Sequence, residues 1–369
     1  MLALCVGTQT SNAVILFGSG DPTYSTAPPT GALTNSGWQY EGQWGGFLGT
    51  PIAPQYFIAA HHVGGSVGQT FTFNGVNYTT TARWDDPNSD LRIWKVSGVF
   101  SNYVPLYSTS DEAGKQLVVI GRGTQRGSPL TVTETQTQVS VSGQLVTNIV
   151  AVLRGWKDGT ADGVIRWGQN QVYYAGGTFL IAAFTGTQGT NEAYLSSGDS
   201  SGAVFIQDST GVWKLAGINY GIDGPFSTNS TGATFYGAIF DEEGLYVNGS
   251  LVPDKGVAQP SYFYATRISS ELSWIQSIVG VVPPAVSGSP AVVVGSTPLP
   301  QLNIQVSEGN VIVSYPTNAA GCTLQSSILL GGGAVWQDVT NSAVVNGTNW
   351  NVTLPVIGTG AYFRLRSAN

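Results

Sequence analysis

Charged side chains are scarce in this sequence. Only 9 % of its 369 residues are Asp, Glu, Lys or Arg, compared with about 25 % in an average soluble protein. The 14 Lys and Arg are outnumbered by 21 Asp and Glu, which leaves a net charge of −7. This balance excludes the basic surface that binds a nucleic-acid backbone. The sequence also lacks an apolar run of the roughly 18–20 residues that a membrane-spanning helix needs, so it predicts neither a nucleic-acid partner nor a membrane span.

Cysteine is almost absent, with only Cys5 and Cys322. Residues 1–13 resemble the remnant of a secretory signal peptide, because residues 2–6 are apolar and residues 11–13 fit a small-x-small cleavage pattern. No basic residue precedes this apolar core, and Leu4 is too bulky for a lipoprotein anchor at Cys5. Removal of the segment would leave one cysteine and therefore no intramolecular disulfide. We expect an exported protein, secreted, periplasmic or on the cell surface, and of bacterial type.

Short apolar runs dominate the remaining sequence. The 42 % hydrophobic content excludes a disordered chain, and 369 residues fit two or three domains at roughly 100–200 residues each. Between residues 14 and about 265, runs of Val, Ile, Thr and aromatic residues alternate with Gly, Asn, Asp and Ser clusters, which predicts many antiparallel strands. One example is the hairpin of residues 203–207 and 212–218. The fold class is therefore all-β.

A helix and a linker follow the main β region. Apolar residues at three- and four-residue spacing predict a helix over 269–279, with Ser269 or Ser270 as its N-cap. Residues 281–300 contain five prolines and predict a linker. Beyond it, alternating polarity over 301–369 predicts a small β-sandwich.

The sequence contains only two histidines, His61 and His62, at the end of the apolar run 56–60. Because neighbouring strand residues point to opposite faces, the pair is not expected to share a metal ion. In isolation, such a histidine is usually a turn residue or a satisfied core group.

A glycine-flanked serine lies at residues 198–202, in the order Gly-Asp-Ser-Ser-Gly. Glycines permit a tight turn that exposes the hydroxyl of Ser200 and points backbone N–H groups at one spot. The string also fits the G-x-S-x-G elbow of α/β-hydrolases, but that fold places its histidine after the serine. No histidine follows Ser200, so only an order with histidine first is available.

A third segment begins a predicted strand with Asp90. Asp85 and Asp86 are nearby competitors for any role of this acid. The acidic residues of the stretch 85–90 could also bind calcium, but the stretch lacks the glycine and glutamate spacing of a known calcium loop. We therefore expect no metal and no cofactor.

Taken together, these segments resemble the active-site blocks of chymotrypsin-like serine proteases, in the family's order. The matching strings are Ile58-Ala59-Ala60-His61, then Asp90-Leu91-x-Ile93, then Gly198-Asp199-Ser200-x-Gly202. Residues 213–218, 264–267 and 274–275 resemble the strand after the family's serine, its closing strand and its C-terminal helix. The resemblance covers about residues 14–280. It implies two six-stranded antiparallel barrels, about 14–125 and 126–280, with a C-terminal helix.

The resemblance also implies an endopeptidase that forms an acyl-enzyme intermediate. Ser200 would be the nucleophile, His61 the general base and Asp90 the group that orients it. The backbone N–H groups of Gly198 and Ser200 would form the oxyanion hole.

Substrate would pair with the edge strand Asn219-Tyr220-Gly221. Tyr194, six residues before the nucleophile, would lie at the base of the specificity pocket. Because Tyr194 is not acidic, preference for Lys or Arg is not expected, and the partner is a protein or peptide with a neutral or small residue at the cleaved bond.

Two departures from the family pattern bear on this assignment. Ser201 replaces a family glycine and either crowds the site or resets the turn. Asp199 is the acid that in many members pairs with a freed N-terminal amine. Here Val14 would supply that amine after a cut, or Asp199 would find internal hydrogen bonds instead.

Other functions remain open at this stage. One alternative is a protease-fold binding or adhesion protein with a silent triad, since fold does not fix function. A glycoside hydrolase would use Asp241, Glu242 and Glu243 as paired carboxylates, although three consecutive acidic residues are more typical of a solvated loop. Cys322 is a poor candidate for a catalytic nucleophile, because no histidine lies near it in the sequence.

The appendage over 301–369 resembles small immunoglobulin-like or fibronectin-like modules of exported bacterial enzymes. Its aromatic residues either form a surface that contacts glycans or build its core. They are Tyr315, Trp336, Trp350 and Tyr362.

Overall fold

A computed structural model provides the structure of the chain. It describes residues 13–139, 145–280, 302–307, 310–317, 322–327, 336–347, 349–355 and 361–367. The signal-peptide prediction for residues 1–12 and the linker prediction for 281–300 lie outside the described residues. The chain divides into two compact units between Gly288 and Ser289. No helix in the described part of the chain is long and apolar enough to cross a membrane.

The first barrel closes from six short strands in the order β2-β3-β4-β7-β6-β5. Phe57, Phe71 and Trp94 fill its interior, with the Phe57 and Phe71 rings stacked 4.0 Å apart. A short strand β1 (Ile15–Leu16) precedes the barrel. The barrel strands are β2 (Gly42–Trp44), β3 (Phe47–Ala53), β4 (Tyr56–Ala60), β5 (Thr70–Phe73), β6 (Val76–Asp85) and β7 (Leu91–Val96).

Three short 3₁₀ turns accompany the strands of this region. They are Gly31–Leu33, Trp38–Tyr40 and His61–Val63. The last of them follows β4 directly, so the strand ends at Ala60 and both histidines lie in a turn.

The second barrel closes in the order β11-β12-β20-β15-β14-β8. Its strands are β8 (Gln116–Gly121), β11 (Arg166–Gly176), β12 (Phe179–Ala183), β14 (Ala203–Gln207), β15 (Trp213–Ile222) and β20 (Tyr262–Arg267). Because β8 closes this barrel, the expected boundary near residue 125 is too late. The first barrel's strands end at Val96, and 116–121 belongs to the second barrel.

Smaller sheets decorate the second barrel. A long hairpin of β9 and β10 adds β17 at its base, β1 pairs with β13, and β16, β18 and β19 form a three-stranded sheet. The bounds are β9 (Thr124–Val139), β10 (Leu145–Ala161), β13 (Ala193–Tyr194), β16 (Phe226–Ser227), β17 (Gly237–Ile239), β18 (Tyr246–Val247) and β19 (Ser250–Leu251).

The two barrels share one apolar core. Leu48, Ile58 and Ile93 from the first barrel pack in the same buried cluster as Phe205 and Ile218 from the second. Burying this apolar area stabilises their contact at roughly 25 cal/mol per Å². The loops that leave β4 and precede β14 therefore meet at a junction that is held firmly by packing.

The C-terminal helix of this unit, α1, spans Leu272–Val279 and places Ile275 in the shared core. The predicted caps are wrong. Neither serine reaches the helix N-terminus, because Ser269 Oγ donates to the Glu112 carboxylate and Ser270 Oγ donates to the Arg267 carbonyl.

The second unit consists of a four-stranded sheet, β21-β22-β26-β25, and a three-stranded sheet, β24-β23-β27. Both sheets contribute to one small core around Val313, Leu324 and Val352, which makes the unit a sandwich. The bounds are β21 (Asn303–Ser307), β22 (Asn310–Pro316), β23 (Cys322–Ser327), β24 (Gln337–Asp338), β25 (Ala343–Asn346), β26 (Asn349–Pro355) and β27 (Tyr362–Ser367).

The four aromatic residues of this sandwich do not share one role. Tyr315 packs against the core and lies directly opposite Trp350 on the neighbouring strand. The Arg364 guanidinium lies 4.4 Å from the centroid of the Trp336 ring, and Tyr362 is exposed.

One buried acid makes the stability of the first barrel depend on pH. The Glu41 carboxyl is buried, accepts one hydrogen bond from Thr50 Oγ1 at 3.3 Å, and leaves Oε2 without a partner. Burial raises the pKa of Glu41 well above its ordinary range. In the unfolded chain the group ionises near pH 4.3, so its contribution to the free energy of unfolding falls as the pH rises from there through the folded-state pKa.

Glu41→Gln keeps the shape of this side chain and removes its ionisation. We expect the variant to have a Tm a few degrees above that of the wild type at pH 8, with the difference closing near pH 4. Calorimetry across this pH range measures the effect. A difference in Tm that stays constant from pH 4 to pH 8 would contradict a raised pKa for Glu41.

Candidate active site

His62, Asp90 and Ser200 form one hydrogen-bonded chain at the junction of the two barrels. His62 Nδ1 lies 2.6 Å from Asp90 Oδ2, and His62 Nε2 lies 2.8 Å from Ser200 Oγ. The carboxylate of Asp90 fixes the proton on Nδ1, so Nε2 is left to accept the proton of the serine hydroxyl. The imidazole is 39 % exposed and Asp90 14 % exposed, so the chain lies at an accessible surface rather than in the core.

His61 was the predicted partner of Ser200, and the structure corrects this choice by one residue. The 3₁₀ turn after Ala60 directs the two side chains apart, and the His61 ring lies 3.7 Å from Asp85 Oδ2, half exposed. Asp90 makes two hydrogen bonds with His62, because its Oδ1 also accepts the backbone N–H of His62 at 3.0 Å. The backbone carbonyl of Asp90 accepts the N–H of His61 at 2.7 Å, which holds the turn against β7.

The turn before β14 presents two unpaired backbone N–H groups beside the hydroxyl of Ser200. Gly198 has a φ of +94°, a left-handed conformation that favours glycine. In the described part of the chain, the backbone N–H groups of Gly198 and Ser200 donate to no acceptor. They border a cavity of about 240 Å³ lined by 195–200, Gly221, Ile222 and Tyr236. Two such donors can bind an oxyanion that develops next to Ser200.

Asp199 points away from Ser200 into the protein. Its carboxylate accepts hydrogen bonds from the backbone N–H groups of Gly123 and Ser196 at 2.7 Å each, and from Val14 at 3.1 Å. Burial raises the pKa of Asp199 to about 6, against the opposing effect of these hydrogen bonds. The sequence left two alternatives for Asp199, pairing with a freed N-terminal amine or internal hydrogen bonds. The contacts of Asp199 are internal hydrogen bonds, and the backbone N–H of Val14 is one of the donors.

Ser201 neither crowds the cavity nor blocks Ser200. Its side chain is buried, its φ is +68°, and its hydroxyl bonds to the backbone of the first barrel. The turn therefore accommodates a serine where the family pattern has glycine.

Two of the predicted substrate-binding residues do not line the cavity. Tyr194 is buried in the core of the second barrel, where its Oη donates to the carbonyl of Tyr262 at 2.8 Å. Asn219 is also buried, and its Nδ2 donates to the carbonyls of Ile120 and Asp199 at 2.9 and 3.0 Å. Tyr194 and Asn219 therefore support the site from beneath.

The other two predicted substrate-binding residues lie at the site. The Tyr220 ring is exposed and meets the His62 ring edge to face, with centroids 5.8 Å apart, and Gly221 borders the cavity. The only ionisable carboxyl in the cavity lining is that of Asp199, which is directed at Val14. The cavity thus presents hydroxyls, backbone and apolar atoms rather than a charge.

Two of the three carboxylates of the glycoside-hydrolase alternative are engaged in ion pairs away from Ser200. Asp241 and Glu243 form ion pairs with Arg154 at the base of the β9–β10 hairpin. Burial raises the pKa of Glu242 to about 7. In the acidic stretch 85–90, Asp85 pairs with Arg92. Among the described residues, no group of three or more His, Cys, Asp or Glu side chains could hold a metal ion.

Comparison of the coordinates with solved structures finds proteases of low sequence identity. A Glu endopeptidase is 11 % identical, with 66 % of this chain and 91 % of that chain covered and a TM-score of 0.34. The Rv3671c protease of M. tuberculosis is 14 % identical over 66 % and 77 % of the chains, with a TM-score of 0.30. The murine norovirus NS6 protease is 13 % identical over 65 % and 93 %, with a TM-score of 0.28. No family model and no curated protein matches the sequence.

The fold assignment stands on the architecture of the first unit. Two closed six-stranded antiparallel barrels packed on a shared core, with a helix after the last barrel strand, make the chymotrypsin-like fold. This confirms the fold class predicted from the sequence.

Proposed function

We propose that this chain is a serine endopeptidase that cleaves peptide bonds through Ser200, His62 and Asp90. The observation that carries the proposal is the hydrogen-bonded chain from Asp90 to His62 to Ser200, with both distances at or below 2.8 Å. Removal of the proton makes Ser200 Oγ nucleophilic, and a general base within hydrogen-bonding distance can accept that proton.

The reaction proceeds in two steps. Ser200 Oγ attacks the scissile carbonyl while its proton passes to His62 Nε2, and Asp90 stabilises the resulting imidazolium. The oxyanion is bound by the N–H groups of Gly198 and Ser200, whose donors are otherwise unused among the described residues. His62 then protonates the leaving amine, which leaves an acyl group on Ser200. A water molecule, deprotonated by His62, then attacks the acyl carbonyl. The ester bond to Ser200 Oγ breaks, His62 returns the proton to Oγ, and the acid product leaves.

The substrate class follows from the walls of the cavity. Because no free charge faces it, we propose a neutral residue on the acyl side of the scissile bond rather than Lys or Arg. Tyr220 and Gly221 would contact the extended substrate chain. We further propose that the protein is exported, on the basis of the signal-peptide-like sequence of residues 1–13 and the low charge content, and fractionation of the producing cells tests this.

A fluorophosphonate probe tests the proposed chemistry directly. We expect the native protein to form one covalent adduct, located at Ser200 by peptide mapping, and to hydrolyse neutral peptide substrates. Ser200→Ala should form no adduct, because it lacks the hydroxyl while the surrounding turn is retained. A folded native protein that stays unlabelled would overturn the proposal and favour the alternative of a binding or adhesion protein built on the same fold.

A further inference from the structure

The hydroxyl of Ser201 connects the two barrels directly beneath the candidate active site. Its Oγ accepts the backbone N–H of Ala60 at 2.9 Å and donates to the carbonyl of Leu48 at 2.8 Å. Both groups belong to the first barrel, whereas Ser201 belongs to the turn before β14 of the second. The side chain is fully buried, so water does not compete for these hydrogen bonds.

The position of this bridge follows from the register of β3 and β4. These antiparallel strands pair Thr50 with Ile58, and the same register continued by two residues would place Leu48 opposite Ala60. The ladder stops before this point, and the Ser201 hydroxyl bonds to one group on each strand. A glycine here would leave a buried N–H and a buried carbonyl without these partners, which is unfavourable in a core.

The backbone conformation of Ser201 argues that the side chain has a role. A φ of +68° lies in the left-handed region that glycine adopts without steric cost and serine does not. Strain of this kind persists only where the surrounding structure holds it, and it concentrates at functional sites. Besides the two hydrogen bonds of its hydroxyl, Ser201 is held by its backbone N–H, which donates to the carbonyl of Asn219 at 2.9 Å.

We propose that Ser201 is a positioning residue that sets the distance between the nucleophile and the general base, an inference that rests on the proposed function. Ser200 is the residue before Ser201, and His62 is two residues after Ala60. One hydroxyl therefore ties the turn that carries the nucleophile to the strand end that carries the base. Misplacement of reacting groups by about 1 Å can cost roughly 100-fold in rate, so a loose junction would lower turnover without altering substrate contacts.

Two variants separate the hydroxyl from the backbone strain. Ser201→Gly removes the hydroxyl and relieves the strain, whereas Ser201→Ala removes the hydroxyl and keeps it. We expect both to lower kcat and the rate of fluorophosphonate labelling at Ser200 by about 10- to 100-fold, with KM within about twofold of the wild type. The glycine variant should have the higher Tm of the two, and kcat is measured well below both Tm values, so that unfolding does not account for the loss of activity.

Ser261 supplies a matched control. It is another fully buried serine whose Oγ bonds to one backbone carbonyl and one backbone N–H, both of Ile239, at 2.8 and 3.2 Å. Ser261→Ala should lower Tm and leave kcat within about twofold. If the Ser201 variants behave like Ser261→Ala, the bridge is only structural and the inference is overturned. A native protein that reacts with no probe overturns the proposed function and this inference together.

Discussion

His62→Ala is expected to lower kcat by roughly 10⁴- to 10⁶-fold, the scale on which removal of a triad base acts. His62 Nε2 lies 2.8 Å from Ser200 Oγ, and in the proposed mechanism it accepts the proton that the attack of Ser200 releases. Labelling of Ser200 by a fluorophosphonate should fall in parallel. Steady-state hydrolysis of a neutral peptide and the labelling rate measure the effect independently.

His61→Ala is the control that the sequence itself provides. It removes an identical side chain from the neighbouring position of the same 3₁₀ turn, but its ring faces Asp85 rather than Ser200. A half-exposed pair of this kind contributes little to stability. We expect kcat within a few fold of the wild type. The opposite result, with His61→Ala inactive and His62→Ala active, would show that the turn adopts another conformation in solution.

The sequence does not determine which of the two histidines contacts Ser200. The order of histidine, aspartate and serine along the chain and the glycine-flanked turn carry the resemblance to chymotrypsin-like proteases, and that resemblance implied the two barrels that the structure contains. The strings could not show that β4 ends at Ala60 and that a 3₁₀ turn follows. A strand that ended one residue later would exchange the two side chains, because successive strand residues face opposite sides.

The supporting residues were beyond prediction for a related reason. Tyr194 and Asn219 were expected to contact substrate, yet both are buried, and the Tyr194 hydroxyl and the Asn219 Nδ2 donate to backbone carbonyls. Whether a polar side chain beside a cleft points into it or beneath it depends on contacts that are distant in sequence. Ser201 is the clearest example, since its partners Ala60 and Leu48 are 141 and 153 residues away.

Asp90→Asn is expected to lower kcat by roughly 10⁴-fold while the fold is retained. Asp90 accepts two hydrogen bonds from His62, one from Nδ1 and one from the backbone N–H. An asparagine can turn its carbonyl toward only one of these donors. If the asparagine amide group donates to Nδ1, the imidazole proton moves to Nε2. A protonated Nε2 can no longer accept the proton of Ser200. The loss should therefore appear in kcat and in labelling rather than in KM.

Asp85→Asn separates this effect from a general loss of negative charge near the histidines. Asp85 is 40 % exposed and pairs with Arg92 and with His61, without contact to His62 or Ser200. We expect this variant to keep kcat within a few fold and to have a lower Tm, because Arg92 is 4 % exposed and loses its charged partner. Equal losses in the two variants would mean that the carboxylates act through the overall field at the cleft. A loss confined to Asp90→Asn would mean that catalysis depends on the tautomer of the His62 imidazole, which the Asp90 carboxylate fixes through its contact with Nδ1.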